Sequence, residues 1–314
     1  MTESGPDFSH RPVMPVEVVS LLITDREGAY LDLTAGRGGH LKALAENLGL
    51  NARLYGIDRD PRAAVETTRI LQPYVQFRKI IQSPFGELGK VASQFGEELF
   101  SGILLDLGLS SPQIDDPMRG FSYRADGPLD MRFDPTVGTS AAELINKLDQ
   151  KRIAEILDTF GEEREAARLA RAIVMERQKH QITTTSHLAA IVRAVVKYTH
   201  QTKSLARVFQ AFRIAVNGEL DQLMAVLPSA LTLLSPGGRL AVISYHSLED
   251  RIAKQTFQEW TKPRCTCPKN LPICMCGVKP VAQLVTRKPV APGDDEIALN
   301  NRARSARLRV VEKL

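Results

Sequence analysis

The sequence predicts an α/β chain: a parallel sheet covered on both faces, interrupted by an all-helical segment. Three observations carry this. Between residues 30 and 106, short apolar runs alternate with stretches of helical period, the rhythm of a doubly wound sheet. The first run, Tyr30 to Asp32, breaks into a turn with Gly36, Gly38 and Gly39, and a helical pattern (Leu41, Leu44, Ala45, Leu48) follows at once. From Thr139 the period becomes helical, and no strand pattern appears between about 111 and 206.

In order, residues 1–15 read as a polar lead-in and Val16–Ile23 as a short helix. Strands follow at 30–33, 53–57, 75–80 and 102–106, with helices at 40–48, 61–71 and 86–95 between them. Pro61 opens the second of these helices, where its missing N–H has no partner to lose. Right-handed crossovers bring the C-terminal ends of strands 1, 2 and 4 to one crevice, lined by Gly36, Asp58, Phe85 and Asp106.

The fourth strand runs into Leu107-Gly-Leu-Ser110-Ser111-Pro112-Gln113, a polar loop placed where chemistry would sit; the alternative is a turn built from ordinary turn formers. Residues 114–135, rich in Asp, Arg, Gly and Pro, read as an ordered loop. Ser140 caps the next helix with Glu143 as its reciprocal partner. Gly161 ends a helical run, 162–180 is a second charged helix, and His187–Tyr198 a third. Arg164, Arg168 and Arg171 share a helical face, either as a phosphate-tracking stripe or as a solvated face neutralised by Glu162, Glu163 and Glu165.

Lys203, Arg207 and Arg213 border the junction with the sheet and are better placed for phosphates. One long helix, Ala206–Leu234, returns the chain to a strand at 239–244. His246 then stands as a base, a substrate contact or a structural residue. Strands at 283–286 and 306–311 finish the sheet, and Arg302 and Arg304 share a face if their segment is extended. The expected domains are a sheet domain over 1–110 and 207–314, with a helical insertion over 111–206.

The chain is 43% hydrophobic and 25% charged, with net charge +5 and pI about 9.0, which admits a polyanionic partner. Its N-terminus lacks the basic and apolar regions of a signal peptide, and no apolar run reaches membrane-spanning length, Arg193 interrupting one candidate and Pro228 another. A cytoplasmic protein is expected. Cys265, Cys267, Cys274 and Cys276 form two Cys-x-Cys pairs that could hold Zn²⁺ tetrahedrally, but the spacing departs from the usual C-x₂-C, and no metal is assigned.

The glycine turn places backbone N–H groups at a helix start, and Asp58, about 20 residues on, can hold ribose hydroxyls. The spacing is not G-x-G-x-x-G, which weakens a dinucleotide-dependent oxidoreductase, and no P-loop is present. S-adenosylmethionine is the nucleoside these features favour.

Together the motifs resemble one family, the RsmH or MraW methyltransferases of bacterial 16S rRNA. The resemblance covers nearly the whole chain. It includes Gly36-Arg-Gly-Gly-His40, Ile57-Asp-Arg-Asp-Pro61, Leu104-Leu-Asp-Leu-Gly108, Ser110-Ser-Pro-Gln113, Asp126-Gly-Pro-Leu-Asp-Met-Arg132, His246-Ser-Leu-Glu-Asp-Arg251 and Arg302-Ala-Arg-Ser305. It implies a class I, Rossmann-like methyltransferase sheet with a helical substrate-recognition insertion. It further implies contacts to S-adenosylmethionine from Gly38, Gly39, His40, Asp58, Phe85, Asp106 and Gln113, and N4-methylation of cytidine 1402 (rRNA numbering) in the small ribosomal subunit. Departures are few: Leu33-Thr-Ala35 stands for the common Gly-Thr-Phe, Tyr245 for Phe and Asn301 for Pro. The Ser110–Pro112 loop resembles in position the loop by which amino-methyltransferases meet an exocyclic amine. Asp106, Ser110, Ser111 and Pro112 are therefore the expected catalytic residues, and Lys203, Arg207, Arg213 and His246 the expected RNA contacts. A non-catalytic RNA-binding protein retaining the fold is the competing reading.

Overall fold

The computed structural model describes residues 12–262, 267 and 277–314. These residues divide into two compact units, one lying within 1–108 and 220–314 and one within 109–219.

The first unit is a seven-stranded sheet. Its strands are β1 (Ala29–Asp32), β2 (Arg53–Asp58), β3 (Phe77–Gln82), β4 (Phe100–Asp106), β5 (Leu234–Ser244), β6 (Ala282–Leu284) and β7 (Arg307–Lys313), in the order β3-β2-β1-β4-β5-β7-β6. The first five pair in parallel; β7 runs antiparallel to both β5 and β6. Because the side-chain period in a strand is two, each strand feeds both faces. Leu31, Ile103 and Leu105 pack in one core with Leu223, Val226, Phe257 and Phe100. Tyr30 and Leu104 pack in the other with Val18, Leu22, Leu41 and Leu44. Tyr55, Phe95 and Phe100 meet edge to face at centroid distances of 5.4–5.9 Å, the arrangement ring quadrupoles prefer.

On the faces lie α1 (Pro15–Leu22), α2 (Gly39–Ala45) and α3 (Pro61–Leu71). Asp60 caps α3 by accepting from the Arg62 N–H (3.0 Å), with Pro61 at the first helical position. The single helix expected over 86–95 is instead a broken run. A 3₁₀ turn (Phe85–Glu87), the short α4 (Leu88–Val91) and a second 3₁₀ turn (Ala92–Phe95) replace it, ending at Gly96 with φ +73°. Two glycines, Gly86 and Gly89, weaken the α-helical alternative there.

The second unit is helical: α5 (Ser111–Asp115), α6 (Ala141–Lys147), α7 (Gln150–Gly161), α8 (Ala166–Arg177), α9 (Thr185–Val195) and α10 (Gln201–Asn217). Its core gathers Ile153, Leu157, Leu169, Ile173, Leu188, Val208 and Phe212. Ser140 and Glu143 form the expected reciprocal cap. Among the described residues of the insertion no strand is present; only an isolated bridge joins Pro128 to Thr184.

The expected long helix from Ala206 to Leu234 is two helices. Gly218, at φ +63°, closes α10, and α11 (Glu219–Leu233) begins after it. The Gly218 N–H donates to the Ile214 carbonyl at 2.8 Å, giving one of the open carbonyls at the end of α10 a partner, and the left-handed residue turns the chain. Consequently all of α10 belongs to the helical unit, and the chain re-enters the sheet unit at 220 rather than 207. After β5 come α12 (Ser247–Thr261) and α13 (Asp294–Leu299). Residues 301–305 are a 3₁₀ turn and not extended, so Arg302 and Arg304 do not lie on one strand face. Of the four cysteines only Cys267 falls among the described residues; the possible metal loop lies outside them.

Candidate active site

Parallel pairing puts the C-terminal ends of β1, β2 and β4 on one edge, and the site is assembled there. The turn after β1 needs glycine for three different reasons. Gly36 has φ +52°, and a Cβ there would meet only the Thr34 carbonyl, at 3.8 Å, so its hydrogen faces open space. Gly38, at φ +76°, is the left-handed start of α2, and a Cβ on it would crowd Thr67 at 3.1 Å. A Cβ on Gly39 would press on the Pro12 ring at 3.2 Å. Gly38 and Gly39 therefore shape and pack the turn, and Gly36 is its open side.

Asp58 ends β2 and turns back on this loop. Its carboxylate accepts from the Gly36 N–H at 2.7 Å and from the Asp60 N–H at 2.8 Å. Burial pushes Asp58 up to about 6 against those backbone donors. Each oxygen retains a lone pair for a further donor.

A second set of polar groups lies between β1, α2 and β4. His40 Nε2 stands 3.3 Å from Asp106 Oδ2. The Asp106 N–H donates to Thr34 Oγ1 (2.7 Å), and Thr34 in turn donates through its N–H and hydroxyl to Asp32 Oδ1 (2.9 and 3.2 Å). Asp32 is fully buried; burial raises it to about 6 although His40 opposes this. Burial lowers His40, but hydrogen bonding to Asp106 and the charges of Asp106 and Asp32 carry it above its ordinary value. Tyr245, just past β5, hydrogen-bonds Asp106; its burial there and the Asp106 charge hold the phenol protonated. A Cβ at Gly108 would fall 2.7–3.0 Å from the Tyr245 ring and hydroxyl, which is why glycine stands two residues past β4. Two buried atoms of this cluster, Asp32 Oδ2 and His40 Nδ1, lack a hydrogen-bond partner.

Sequence reasoning picked out His40, Asp58 and Asp106 but missed Asp32, Thr34 and Tyr245 as members. A carboxylate closing β1 beside a glycine turn was the available signal for Asp32. Nothing local marks Thr34 or Tyr245, whose roles arise from strands distant in sequence.

Phe85 begins the 3₁₀ turn after β3, partly buried against the sheet core. His246 sits at the start of α12, its Nε2 2.9 Å from Glu249 Oε1, while the other Glu249 oxygen accepts from the backbone of Tyr245 and His246. The Nε2–Oε1 approach is not a hydrogen bond: both imidazole nitrogens of His246 are buried without a hydrogen-bond partner. The remaining expected residues belong to the helical unit. Ser110 precedes α5; its N–H donates to Gln113 Oε1 (3.1 Å) and its carbonyl accepts from Ile114 (3.2 Å). Lys203 is exposed and Arg207 partly so. Arg213 is committed to Glu219 by two hydrogen bonds, 2.8 and 2.7 Å, a fork that leaves its guanidinium engaged.

A β3-β2-β1-β4-β5-β7-β6 sheet with an antiparallel seventh strand, a glycine turn after β1 and an acid ending β2 defines a class I methyltransferase, the class that uses S-adenosylmethionine. The residues fit that nucleoside: Asp58 offers acceptors to vicinal hydroxyls, Gly36 leaves space, and Asp32 and His40 hold unmatched polar atoms. The model of the MraW methylase family matches residues 7–314, and the chain belongs to that family. A ribosomal RNA small subunit methyltransferase H of Heliobacterium mobile is 42% identical over 312 residues, covering 98% of this chain and all of that one. The protein of the same name from Nitrosococcus oceani is 45% identical over 307 residues, covering 97% of each. Among solved structures, an rRNA methylase from Streptococcus thermophilus aligns over 96% of this chain and 93% of its own at TM-score 0.40 and 12% identity.

Proposed function

We propose that the chain methylates N4 of cytidine 1402 in 16S rRNA, acting on the small ribosomal subunit in the cytoplasm, with residues 109–219 as its substrate-recognition unit. The observation that carries this reading is the edge where Asp58 accepts from Gly36 beside the His40–Asp106 pair, a nucleoside site in a chain whose relatives are named for ribosomal RNA.

Asp58 would hold the ribose hydroxyls, and the Asp106–His40–Tyr245 group the polar edge of the base. S-adenosylmethionine supplies, when bound, a methyl group on an already activated sulfonium. What remains for the protein is orientation, for which ideal placement contributes up to ~7–11 kcal/mol. Cytosine N4 is a weak nucleophile because its lone pair is delocalised into the ring. An acceptor on its N–H localises that pair, and Ser110–Ser111 follow Asp106 closely in the chain. The Ser110 carbonyl accepts from Ile114 and keeps a second lone pair, so either that carbonyl or a hydroxyl can serve as the acceptor. Unpaired or distorted RNA lowers the cost of presenting the base.

The test is methylation of small subunits from a strain lacking the enzyme, followed by mass spectrometry of nuclease digests. N4-methylcytidine at the single expected position is the anticipated product. A methyl group on another base, or on large-subunit RNA, would refute the assignment. In single turnover, Ser110→Ala with Ser111→Ala should bind cofactor normally but react about 10²–10³-fold more slowly.

A further inference from the structure

Among the described residues one aromatic side chain is exposed to solvent: Tyr198, at 88%. It begins the 3₁₀ turn Tyr198–His200 between α9 and α10. The turn is pinned rather than loose. The His200 N–H donates to the Lys197 carbonyl (2.8 Å), and Gln201 Nε2 donates to the carbonyls of Arg193 and Val196 (2.8 and 3.2 Å). A flat ring is thus presented to water on a backbone already held in place, so little ordering entropy remains to be lost on binding.

The surrounding charge has one sign. Between Glu176 and Glu219 the sequence contains seven Lys and Arg and no Asp or Glu. The rest of the chain then has 34 Lys and Arg against all 36 acids, so the net positive charge of the protein resides in this stretch. Arg193, Lys197, His200 and Lys203 are exposed around the turn. Glu165, at the start of α8, is paired with Arg168, whose guanidinium also reaches the Val195 carbonyl (2.8 and 3.3 Å). An exposed ring amid unopposed cations is the composition that stacks an unpaired base while ammonium groups meet the adjoining phosphates. A protein partner would ask for a larger apolar patch or for acids to match.

We propose that Tyr198 is a stacking platform for an unpaired base of the RNA substrate, with Lys197 and Lys203 contacting the flanking phosphates. This rests on the RNA methyltransferase reading above and names a contact within it. The experiment is fluorescence anisotropy of the full chain with a short fluorescein-labelled single-stranded oligoribonucleotide, alongside filter binding to isolated small subunits. Tyr198→Ala should weaken single-strand binding about ten- to hundredfold while leaving the salt slope as in the wild type. Tyr198→Trp should restore it. Lys197→Ala with Lys203→Ala should instead reduce the salt slope, and all variants should bind S-adenosylmethionine equally. Equal oligonucleotide affinity of wild type and Tyr198→Ala overturns the platform. So does loss of subunit binding alone, which would place Tyr198 against a ribosomal protein. A wild type that binds neither RNA nor subunit brings down the RNA reading itself.

Discussion

At Asp58 one carboxylate braces the glycine turn and, in the function proposed above, would offer acceptors to a ribose. Asp58→Ala should weaken S-adenosylmethionine binding by about 1.5–3 kcal/mol, the scale of hydrogen bonds to a charged group, as read by calorimetry. Since burial raises Asp58 to about 6, affinity should be level above that pH and fall by up to about tenfold per unit below it, as protonation removes the acceptor. Stability of the ligand-free protein carries the opposite sign. Asp32 and Asp58 keep protons in the fold up to about 6 that the unfolded chain releases near 3.8. Their contribution to stability is therefore greatest below that window and declines as pH rises through it. Denaturant titrations at several pH values, with and without S-adenosylmethionine, separate the two trends.

Elements form here where local signals agree. Ser140 and Glu143 satisfy each other across the first turn of α6, with Glu143 N–H donating to Ser140 Oγ at 3.2 Å and Ser140 N–H to Glu143 Oε2 at 3.0 Å. Ser140→Ala should cost about 1 kcal/mol in urea unfolding and leave cofactor affinity unchanged. A change in cofactor affinity would mean that the helical unit communicates with the sheet edge. The break at Gly218 shows the limit of periodicity. Apolar residues keep a helical spacing through 206–234, yet one left-handed residue redirects the chain and assigns α10 to the helical core. Amphipathic pattern reports which residues are buried, but not which core buries them.

At the scale of the molecule, acids and bases are segregated along the chain, and that segregation sets how it should meet RNA. Lys203→Ala with Arg207→Ala should lower small-subunit affinity and flatten its salt dependence by about 0.7 in slope for each phosphate contact removed on single-stranded RNA. An unchanged slope in filter binding would make these residues ordinary solvated surface. Arg213 is expected to act differently from that pair. Its bidentate bond to Glu219 ties the end of α10 to the start of α11, so its removal should register in stability before it registers in salt dependence.

The sequence alone determined the βα rhythm, the bounds of α3, the Ser140 cap and the helical character of the insertion, and it proposed the nucleoside reading of Gly36 with Asp58. Each depends on neighbours a few residues apart or on a motif whose spacing carries its own geometry. Tertiary structure decided the rest. Strand order places β1 between β2 and β4, and only that adjacency lets Asp58 reach Gly36 and lets Thr34 join Asp32 to Asp106. The antiparallel β7 and the register of β5 against β4 bring Tyr245 over Gly108, 137 positions away in the numbering. Such contacts have no local signature, because hydrogen bonds and ring packing depend on distance in space, whereas period and propensity act along the chain.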